Sequence, residues 1–400
     1  MNKKSKKNET FTVKEVVILL VITCMANATI FFFMNIGEKE SSLSYNDTVK
    51  EILESYNYIK DNYYGDIDEK DLINGAIKGM TEALGDNYSS FIDDNQSDTY
   101  DVLLVGEYTG VGIQISQLIG GNEIVISAVF DNSPALKAGL EVGDVVKSIN
   151  GISTDGMNTS DIGDYIKNGN ITNFDIVVTR NGEEKSFKVE RGPIVIDSVT
   201  SEMFEREGKK IGYIRIDVFA LNTDEQFEEN LKKLESEGMN SLIIDVRGNT
   251  GGHLSSVTNI ISEFLDSSKI IYRTSTKTKE EIKYSKGNTS KEYEIILLVD
   301  GQSASASEVL ASALKESYGA KLLGTKTFGK GTVQEMQEIE STGKNYKITT
   351  KKWLTPNGNW INGIGITPDY EVELNTKYYE NPIRENDNQL NEALKLLSNN

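Results

Sequence analysis

A serine at the start of a helix is the first residue with catalytic potential. Residues 300–308 read DGQSASASE, between the apolar run Ile295–Val299 and the periodic segment Ala306–Tyr318. This order predicts a buried strand, a turn of small residues and a helix that begins at Ser305. The unpaired N–H groups at a helix N-terminus favour developing negative charge, so the hydroxyl of Ser305 could act as a nucleophile. The same residues, with Glu308 three positions on, also match a purely structural capping box.

A lysine between two glycines is the candidate base. Residues 327–334 read TFGKGTVQ, and we expect Lys330, Thr332 and Gln334 to share one face of a strand that enters the core. A buried lysine loses its proton readily, so a neutral Lys330 could accept the proton of Ser305 while Gln334 orients the amine. The alternative is a solvated lysine in a glycine-rich surface loop.

A glycine-rich turn supplies the third part of the candidate site. The run DVRGNTGG, residues 245–252, follows an apolar stretch. The N–H groups of Gly251 and Gly252 could form an oxyanion hole together with that of Ala306. The alternative is a strand-to-helix connection that glycine merely shapes. The run lacks the Gly-Lys-Ser/Thr ending of a phosphate loop, so nucleotide binding is not expected.

These motifs need a framework of alternating strands and helices. Residues 211–375 alternate in this way, which predicts a mixed α/β core. We expect its elements to be strands at 211–216, 241–246 and 295–299, and helices at 223–237, 255–265 and 306–318. Residues 45–104 show helical spacing of apolar residues, and a last helix is expected near Gln389–Leu397.

Composition excludes several classes of function. The chain has 400 residues and a net charge of −19, so nucleic acid is not an expected partner. Cys24 is the single cysteine, which rules out an intrachain disulfide and a cysteine-rich metal site. The proposed chemistry needs neither metal nor cofactor.

One long apolar run lies near the N-terminus. Residues 16–36 follow a lysine-rich start and are just long enough, at about 1.5 Å per residue, to cross a hydrocarbon core of about 30 Å. The lysines predict a cytoplasmic N-terminus, a single-pass membrane anchor and an extracytoplasmic body. The alternative is a cleaved signal peptide and a secreted protein. The apolar run continues beyond Ala26-Asn27-Ala28, the candidate cleavage site, which favours the anchor.

Taken together, the motifs resemble the carboxyl-terminal processing peptidases, also called tail-specific proteases. The resemblance covers about residues 45–400 and is carried by the runs DEKDLINGAIKGMTEALGDNYSSF, IIDVRGNTGG, SASASEVLASALKE, KTFGKGTVQ and KWLTPNGNWINGIGITPDYEVEL. It implies that Ser305 is the nucleophile, Lys330 the general base and Gln334 its partner. It also implies protein substrates with accessible, apolar C-terminal tails, and a homodimer.

One residue departs from the family pattern. His253, the single histidine, stands where the family usually has an aliphatic residue. A Ser–His–Asp triad would need His253 as its base, and the alternative is a partly exposed histidine that lines the cleft. Two rival functions also stay open: a catalytically silent scaffold, and an amidase that uses the same serine and lysine.

Residues 106–190 resemble a PDZ domain of the type that these peptidases carry. The loop Gly110-Val111-Gly112-Ile113 would hold the terminal carboxylate of a peptide through its N–H groups, and the strand that follows would pair with the peptide. The alternative is that the glycines only shape a hairpin. Lys167 takes the place of an arginine that the family often has near the last helix.

The whole chain is therefore expected to divide into five segments. They are a basic segment and anchor (1–37), an N-terminal helical region (38–104), an inserted β-rich PDZ domain (105–192), the peptidase core (193–375) and a polar, partly helical tail (376–400).

Overall fold

The computed structural model describes residues 49–92, 105–117, 123–167, 170–339 and 344–399. These residues form two compact units, one ending at Ala83 and the other beginning at Leu84. The expected membrane segment, residues 16–36, lies outside the described residues. Within the described ranges, no helix is both long enough and apolar enough to span a bilayer.

The first unit consists of helices, as its apolar spacing predicts. One helix runs through residues 49–62, and a second spans Glu69–Glu82. The second begins where the side chain of Asp68 accepts the N–H of Lys70 at 2.8 Å. Large apolar side chains on both helices are more than two-fifths exposed: Val49, Ile52, Leu53, Ile73 and Met80.

The second unit contains a β-rich module with its own core. Five of its strands lie side by side in the order Ile113–Gln117, Ile124–Val129, Val145–Ile149, Asn173–Arg180 and Glu183–Glu190, and Ile152–Ser153 pairs with the third. A separate two-stranded sheet joins Glu107–Gly110 to Gly192–Val195. The helices are Pro134–Ala138 and Thr159–Lys167. Ile126, Phe174 and Ile176 are fully buried at the centre of this module.

The predicted local signals of this module are confirmed. The hydroxyl of Ser133 accepts the N–H of Leu136 at 3.1 Å, Pro134 opens the helix, and Gly139 ends it with φ of 94°. Asn150 and Gly151, both with positive φ, connect two paired strands.

The α/β part of the second unit is built on a six-stranded sheet. Its strands, in spatial order, are Val199–Arg206, Lys209–Ile216, Ser241–Asp245, Glu294–Val299, Lys321–Gly324 and Tyr370–Glu371. The first pair is antiparallel and the others are parallel. Because parallel strands end at the same edge, the turns after Asp245 and Val299 lie together. This places the DVRGNTGG and SASASE runs at one edge of the sheet.

Helices cover both faces of this sheet. Thr223–Ser236, Leu254–Ser262 and Ala306–Ala313 pack on one face, and Asn388–Asn399 covers the other with Leu390, Leu394 and Leu397. A further short helix spans Thr376–Glu380. The expectation of one regular helix over 306–318 is partly wrong. Its last residues, Leu314–Tyr318, form a π-helical turn, which Gly319 ends with φ of 99°.

A second sheet forms the other wall of the site. It contains Ser90–Ile92, Lys344–Leu354, Ile270–Ser275 and Glu280–Tyr284 in that order, and Thr332–Ile339 also pairs with the long strand. The prediction that Lys330 lies within this strand is wrong, because the strand begins at Thr332. The N–H of Lys330 donates to the carboxylate of Glu308 instead of to a neighbouring strand. A register shift between Val333 and Gln334 also breaks the two-residue period that the prediction assumed.

Candidate active site

Ser305 lies at the start of its helix in a strained backbone conformation. Its φ is 55° and its ψ is −113°, values that a non-glycine residue rarely adopts. The predicted capping box is present, since Glu308 accepts the N–H of Ser305 at 3.0 Å and its own N–H donates to the backbone carbonyl of Ser305 at 2.9 Å. The start of the helix thus holds Ser305 in this conformation.

Glu308 is the anchor of the site. Its side chain is fully buried, and it accepts the N–H of Ser305 at 3.0 Å. It also accepts the N–H of Lys330 at 2.8 Å and that of Gly329 at 2.7 Å, while the hydroxyl of Thr327 donates at 2.6 Å. Four donors satisfy this buried carboxylate, so it fixes the turn that carries Ser305 against the loop that carries Lys330.

Lys330 is half-buried in the same cleft. Its Nζ lies 4.8 Å from the centre of the Tyr88 ring, within the range of a cation–π contact. Burial is the main cause that holds the pKa of Lys330 below its ordinary value, and the positive charge of Lys347 lowers it further. Asp86 and Glu308 oppose these effects. The net effect is that the neutral amine is more populated at a given pH than it would be in water.

Gln334 is held by hydroxyl groups. Its amide nitrogen donates to Thr332 Oγ1 at 2.9 Å and to Thr349 Oγ1 at 3.0 Å. These bonds hold the amide nitrogen toward the two threonines. The amide oxygen takes part in no hydrogen bond with the described residues. That oxygen is suited to accept a hydrogen bond from an amine.

Ser305, Lys330 and Gln334 line one cavity of about 520 Å³. Its wall also contains seven apolar or aromatic residues: Val218, Leu254, Tyr272, Ala306, Val309, Val333 and Trp353. The polar part of the wall includes Gly251, Gly252, His253, Asp217 and Lys347. The structure thus brings together the residues that the three sequence motifs predicted, in a cavity whose apolar wall suits apolar side chains.

The glycine turn approaches the serine closely. Gly251 and Gly252 have φ of 111° and 143°, and a Cβ built on Gly251 would lie only 2.9 Å from Ser305 Cβ. The N–H of Gly251 donates to Asn249 Oδ1 at 2.8 Å. The N–H groups of Gly252 and Ala306 have no acceptor among the residues that the structure describes. Of the three predicted oxyanion donors, these two are therefore uncommitted in this structure.

Asn249 fastens the glycine turn to both of its neighbours. Its backbone oxygen accepts the N–H of Ala304 at 3.1 Å and the hydroxyl of Ser307 at 2.8 Å. Its side chain donates to the carbonyl of Ile216 at 3.0 Å. The turn and the start of the serine helix therefore form one hydrogen-bonded unit.

A buried ion cluster supports the same turn from behind. Arg247 is 7% exposed and donates to Asp245 at 2.6 Å, to Asp387 at 2.8 Å and to Gln389 at 2.8 Å. Burial disfavours its charge most strongly, but the hydrogen bonds and negative charges of Asp245 and Asp387 together outweigh this and hold the pKa of Arg247 above its ordinary value. Asp387 comes from the C-terminal segment, so that segment contributes to holding the active-site edge of the sheet.

His253 lies in the cleft at the N-terminus of Leu254–Ser262. Its backbone N–H donates to the carbonyl of Phe219 at 2.7 Å. In the described part of the chain, no carboxylate forms a hydrogen bond with its imidazole ring. The partner that a Ser–His–Asp triad requires is absent from this arrangement.

The predicted peptide-binding loop lies at the edge of the β-rich module. Gly112 has φ of 80°, and any Cβ on it would clash with Ser133 and Ile194. The carbonyl groups of Val111 and Gly112 accept the N–H groups of Ala135 and Phe130 at 2.9 and 3.0 Å. The glycine is therefore sterically required, and both carbonyl groups have partners.

The strand that follows this loop, Ile113–Gln117, is an edge strand of its sheet. Arg191 lies beside the start of the loop, where its guanidinium donates to the carbonyl groups of Thr109 and Lys167 at 3.2 Å. An arginine is therefore present here, supplied by the connection between the strands Glu183–Glu190 and Gly192–Val195 and not by the position of Lys167.

Sequence reasoning missed four contributors to these sites. Glu308 was recognised only as part of a capping box, and Tyr88, Asp387 and Arg191 were not singled out. The run GDNYSS contains Tyr88, and the pairing of a buried arginine with a distant carboxylate has no local pattern in sequence. Only the three-dimensional packing identifies these residues.

The fold and site together define a serine peptidase, and comparisons with known proteins give its family. Residues 210–372 match the model of peptidase family S41, residues 125–180 match a PDZ domain, and residues 31–96 match the activating protease CtpB N-terminal domain. The chain belongs to the carboxy-terminal processing proteases of this family, and it is a serine-type peptidase.

Two curated relatives illustrate this membership. The chain is 35% identical to the carboxy-terminal processing protease CtpB of Bacillus subtilis (strain 168), over 87% of this chain and 72% of the relative. It is 34% identical to CtpA of the same organism, over 89% and 76%. The fold is similar to that of a putative S41 protease from Bacteroides fragilis, with a TM-score of 0.50, 16% identity and coverage of 84% and 91%.

Proposed function

We propose that the protein hydrolyses peptide bonds near the C-termini of other proteins with a dyad of Ser305 and Lys330. The observation that carries this proposal is the shared anchor of the two residues. Glu308 accepts the backbone N–H of both, at 3.0 and 2.8 Å, and both side chains line one cavity. A nucleophile and a base whose backbones are held by one carboxylate, and whose side chains line one cavity, are suited to act on the same substrate bond.

The reaction follows from these positions. Neutral Lys330 accepts the hydroxyl proton of Ser305 as Oγ bonds to the scissile carbonyl carbon. The N–H groups of Ala306 and Gly252 hold the oxyanion, with Gly251 completing the turn. Lys330 then gives its proton to the leaving amine as the C–N bond breaks, which leaves an acyl-enzyme. Water attacks this ester with Lys330 again as the base, and Lys330 returns the proton to Oγ of Ser305 as the C–Oγ bond breaks and the acid product leaves.

Gln334 acts on the base. Two threonine hydroxyls hold its amide nitrogen, which leaves the amide oxygen for the amine of Lys330. A hydrogen bond from the neutral amine to this oxygen would direct the nitrogen lone pair toward Ser305.

The β-rich module recognises the substrate tail. An edge strand after the glycine loop suits strand addition by a peptide, whose carboxylate would meet the N–H groups of Val111, Gly112 and Ile113. Arg191 adds a positive charge beside the start of this loop. The apolar wall of the catalytic cavity fits apolar residues of the same tail.

Two further features of the proposal concern assembly and location. The exposed apolar residues on the helices before Ala83 suit a homodimer contact, since contiguous apolar patches are rarely left exposed to water. The apolar run 16–36 would tether the protein to the cell membrane, with the catalytic body outside the cytoplasm.

The dyad and the tail site are tested together with a peptide that ends in apolar residues. We expect Ser305→Ala to abolish cleavage and keep the affinity for the peptide. C-terminal amidation of the peptide should weaken its binding to Ser305→Ala, because the charge that the loop N–H groups hold is gone. Cleavage by Ser305→Ala at the rate of the unmodified enzyme would refute the nucleophile. Equal affinity for the acid and amide peptides would refute the carboxylate loop.

A further inference from the structure

The amine of Lys330 lies over the aromatic ring of Tyr88. Nζ lies 4.8 Å from the centre of this half-buried ring. Within the described ranges, Nζ has no hydrogen bond and no ion pair. The negative face of an aromatic ring attracts an ammonium group at this distance. The contact involves the proposed base, but Tyr88 lies in the GDNYSS run, outside the three motifs that contain Ser305, Lys330 and the glycine turn.

The segment that carries Tyr88 is firmly held. The carboxylate of Asp86 accepts the N–H of Tyr88 at 3.1 Å and the hydroxyl of Ser89 at 2.6 Å. The hydroxyl oxygen of Ser89 accepts the N–H of Thr349 at 3.0 Å. Thr349 is also one of the two residues that hold Gln334. The ring and the partner of the base are therefore positioned by the same strand.

We propose that Tyr88 is a positioning residue that holds the amine of Lys330 at the catalytic cleft through the face of its ring. The inference rests on the proposed role of Lys330 as the general base. The ring does not touch the substrate bond. It confines the end of a long, flexible side chain that would otherwise sample many rotamers.

The ring also influences the charge of the amine. Other charged or titratable groups face Lys330 or line the same cleft from several elements: Asp86, Glu308, Lys347, Asp217 and His253. Burial and Lys347 lower the pKa of Lys330, whereas Asp86 and Glu308 raise it. The face of an aromatic ring favours the charged form and so acts in the same direction as the two carboxylates. Removal of the ring should make the amine easier to deprotonate.

The shape of the side chain and its aromatic character can be separated by substitution. Tyr88→Phe keeps the ring and loses only the hydroxyl. Tyr88→Leu and Tyr88→Met keep apolar bulk and lose the ring. Tyr379→Leu makes the same kind of exchange at an exposed ring in the C-terminal segment and serves as the matched control.

The direct test is an NMR titration of the full chain with lysines labelled with ¹³C at Cε. The signal of Lys330 is assigned by its absence from Lys330→Arg. We expect Tyr88→Leu and Tyr88→Met to lower the pKa of Lys330 by about half a unit. Tyr88→Phe and Tyr379→Leu should leave it unchanged. The acid limb of kcat/KM for a tail peptide should move by the same amount in the same two variants.

The outcomes separate the role of Tyr88 from that of Lys330. An unchanged pKa in both non-aromatic variants would overturn the role of Tyr88, and so would an equal shift in Tyr88→Phe. If both non-aromatic variants failed to fold, Tyr88 would have a packing role and the proposal would be overturned as well. A shifted pKa with an unmoved acid limb would instead refute Lys330 as the base.

Discussion

The backbone N–H groups of Ser305 and Lys330 donate to the same oxygen of Glu308, at 3.0 and 2.8 Å. These two residues are far apart in sequence and lie on different elements. One buried carboxylate therefore fixes the relative position of the proposed nucleophile and base.

Glu308→Gln should impair both stability and catalysis. Glutamine can place only one acceptor oxygen where the carboxylate has two, and its NH₂ would face N–H donors. We expect a loss of about 1–3 kcal/mol in the free energy of unfolding, measured in urea. We also expect at least a tenfold fall in kcat/KM. Glu225→Gln is a matched control, because Glu225 occupies the same third position of its helix but is exposed. Equal behaviour of the two variants would contradict the anchoring role.

Asp387→Asn should weaken the support behind the oxyanion turn. The substitution removes a charge partner from the buried Arg247, which then keeps Asp245 as its one carboxylate partner among the described residues. We expect about 2 kcal/mol of destabilisation by denaturant unfolding, together with a lower kcat and a nearly unchanged KM. Glu385→Gln, an exposed change in the same segment, should have neither effect. A raised KM with normal kcat would place the effect at substrate binding instead.

His253→Ala should keep most of the activity. The ring of His253 lines the cavity, but no described carboxylate is hydrogen-bonded to it, so it lacks the orientation that a triad base needs. The measurement is kcat/KM at neutral pH, beside Lys330→Ala as the reference for a lost base. A loss as large as that of Lys330→Ala would replace the dyad with a triad.

The pH dependence of activity and of stability should both trace to Lys330. Since the base must be neutral, kcat/KM should rise about tenfold per pH unit below the lowered pKa of Lys330 and level off above it. The free energy of unfolding should also rise with pH. The folded state disfavours the charged amine, so this cost is present at low pH and is relieved as pH rises from the folded toward the unfolded pKa.

It follows that Lys330→Met should stabilise the fold at neutral pH while abolishing activity. Thermal unfolding at several pH values would show this, and the advantage over the parent should shrink as the pH becomes alkaline. An advantage that is constant with pH would mean that the lysine is not disfavoured by its charge.

The sequence allowed much of this structure to be predicted because the signals were local. Ser133, Pro134 and Gly139 delimit a helix by capping rules, and apolar runs such as Ser241–Asp245 are typical of buried parallel strands. Ser305 was found because a small-residue turn between a strand and a helix has a recognisable order.

The remaining parts depend on contacts between distant residues. The two-residue spacing from Thr332 predicted that Lys330 lies in a strand. Its N–H donates to the carboxylate of Glu308 instead, and Lys330 lies in a loop before the strand. The pairing of Arg247 with Asp387 joins residues 140 positions apart, and no periodic pattern in the sequence predicts it. Spacing rules describe a single element and cannot tell which elements meet.

Chemical rescue can show whether an amine at position 330 is the base that activates Ser305. In a Cys24→Ala background, Lys330→Cys should be inactive toward a tail peptide, because the thiol cannot replace the amine as the base. Alkylation with 2-bromoethylamine rebuilds an amine of nearly the same length, so we expect kcat/KM to recover by at least a hundredfold, relative to unmodified Lys330→Cys. The same treatment of Lys330→Cys combined with Ser305→Ala should restore nothing. Full activity of Lys330→Cys before alkylation would contradict the dyad, and so would recovery in the absence of Ser305.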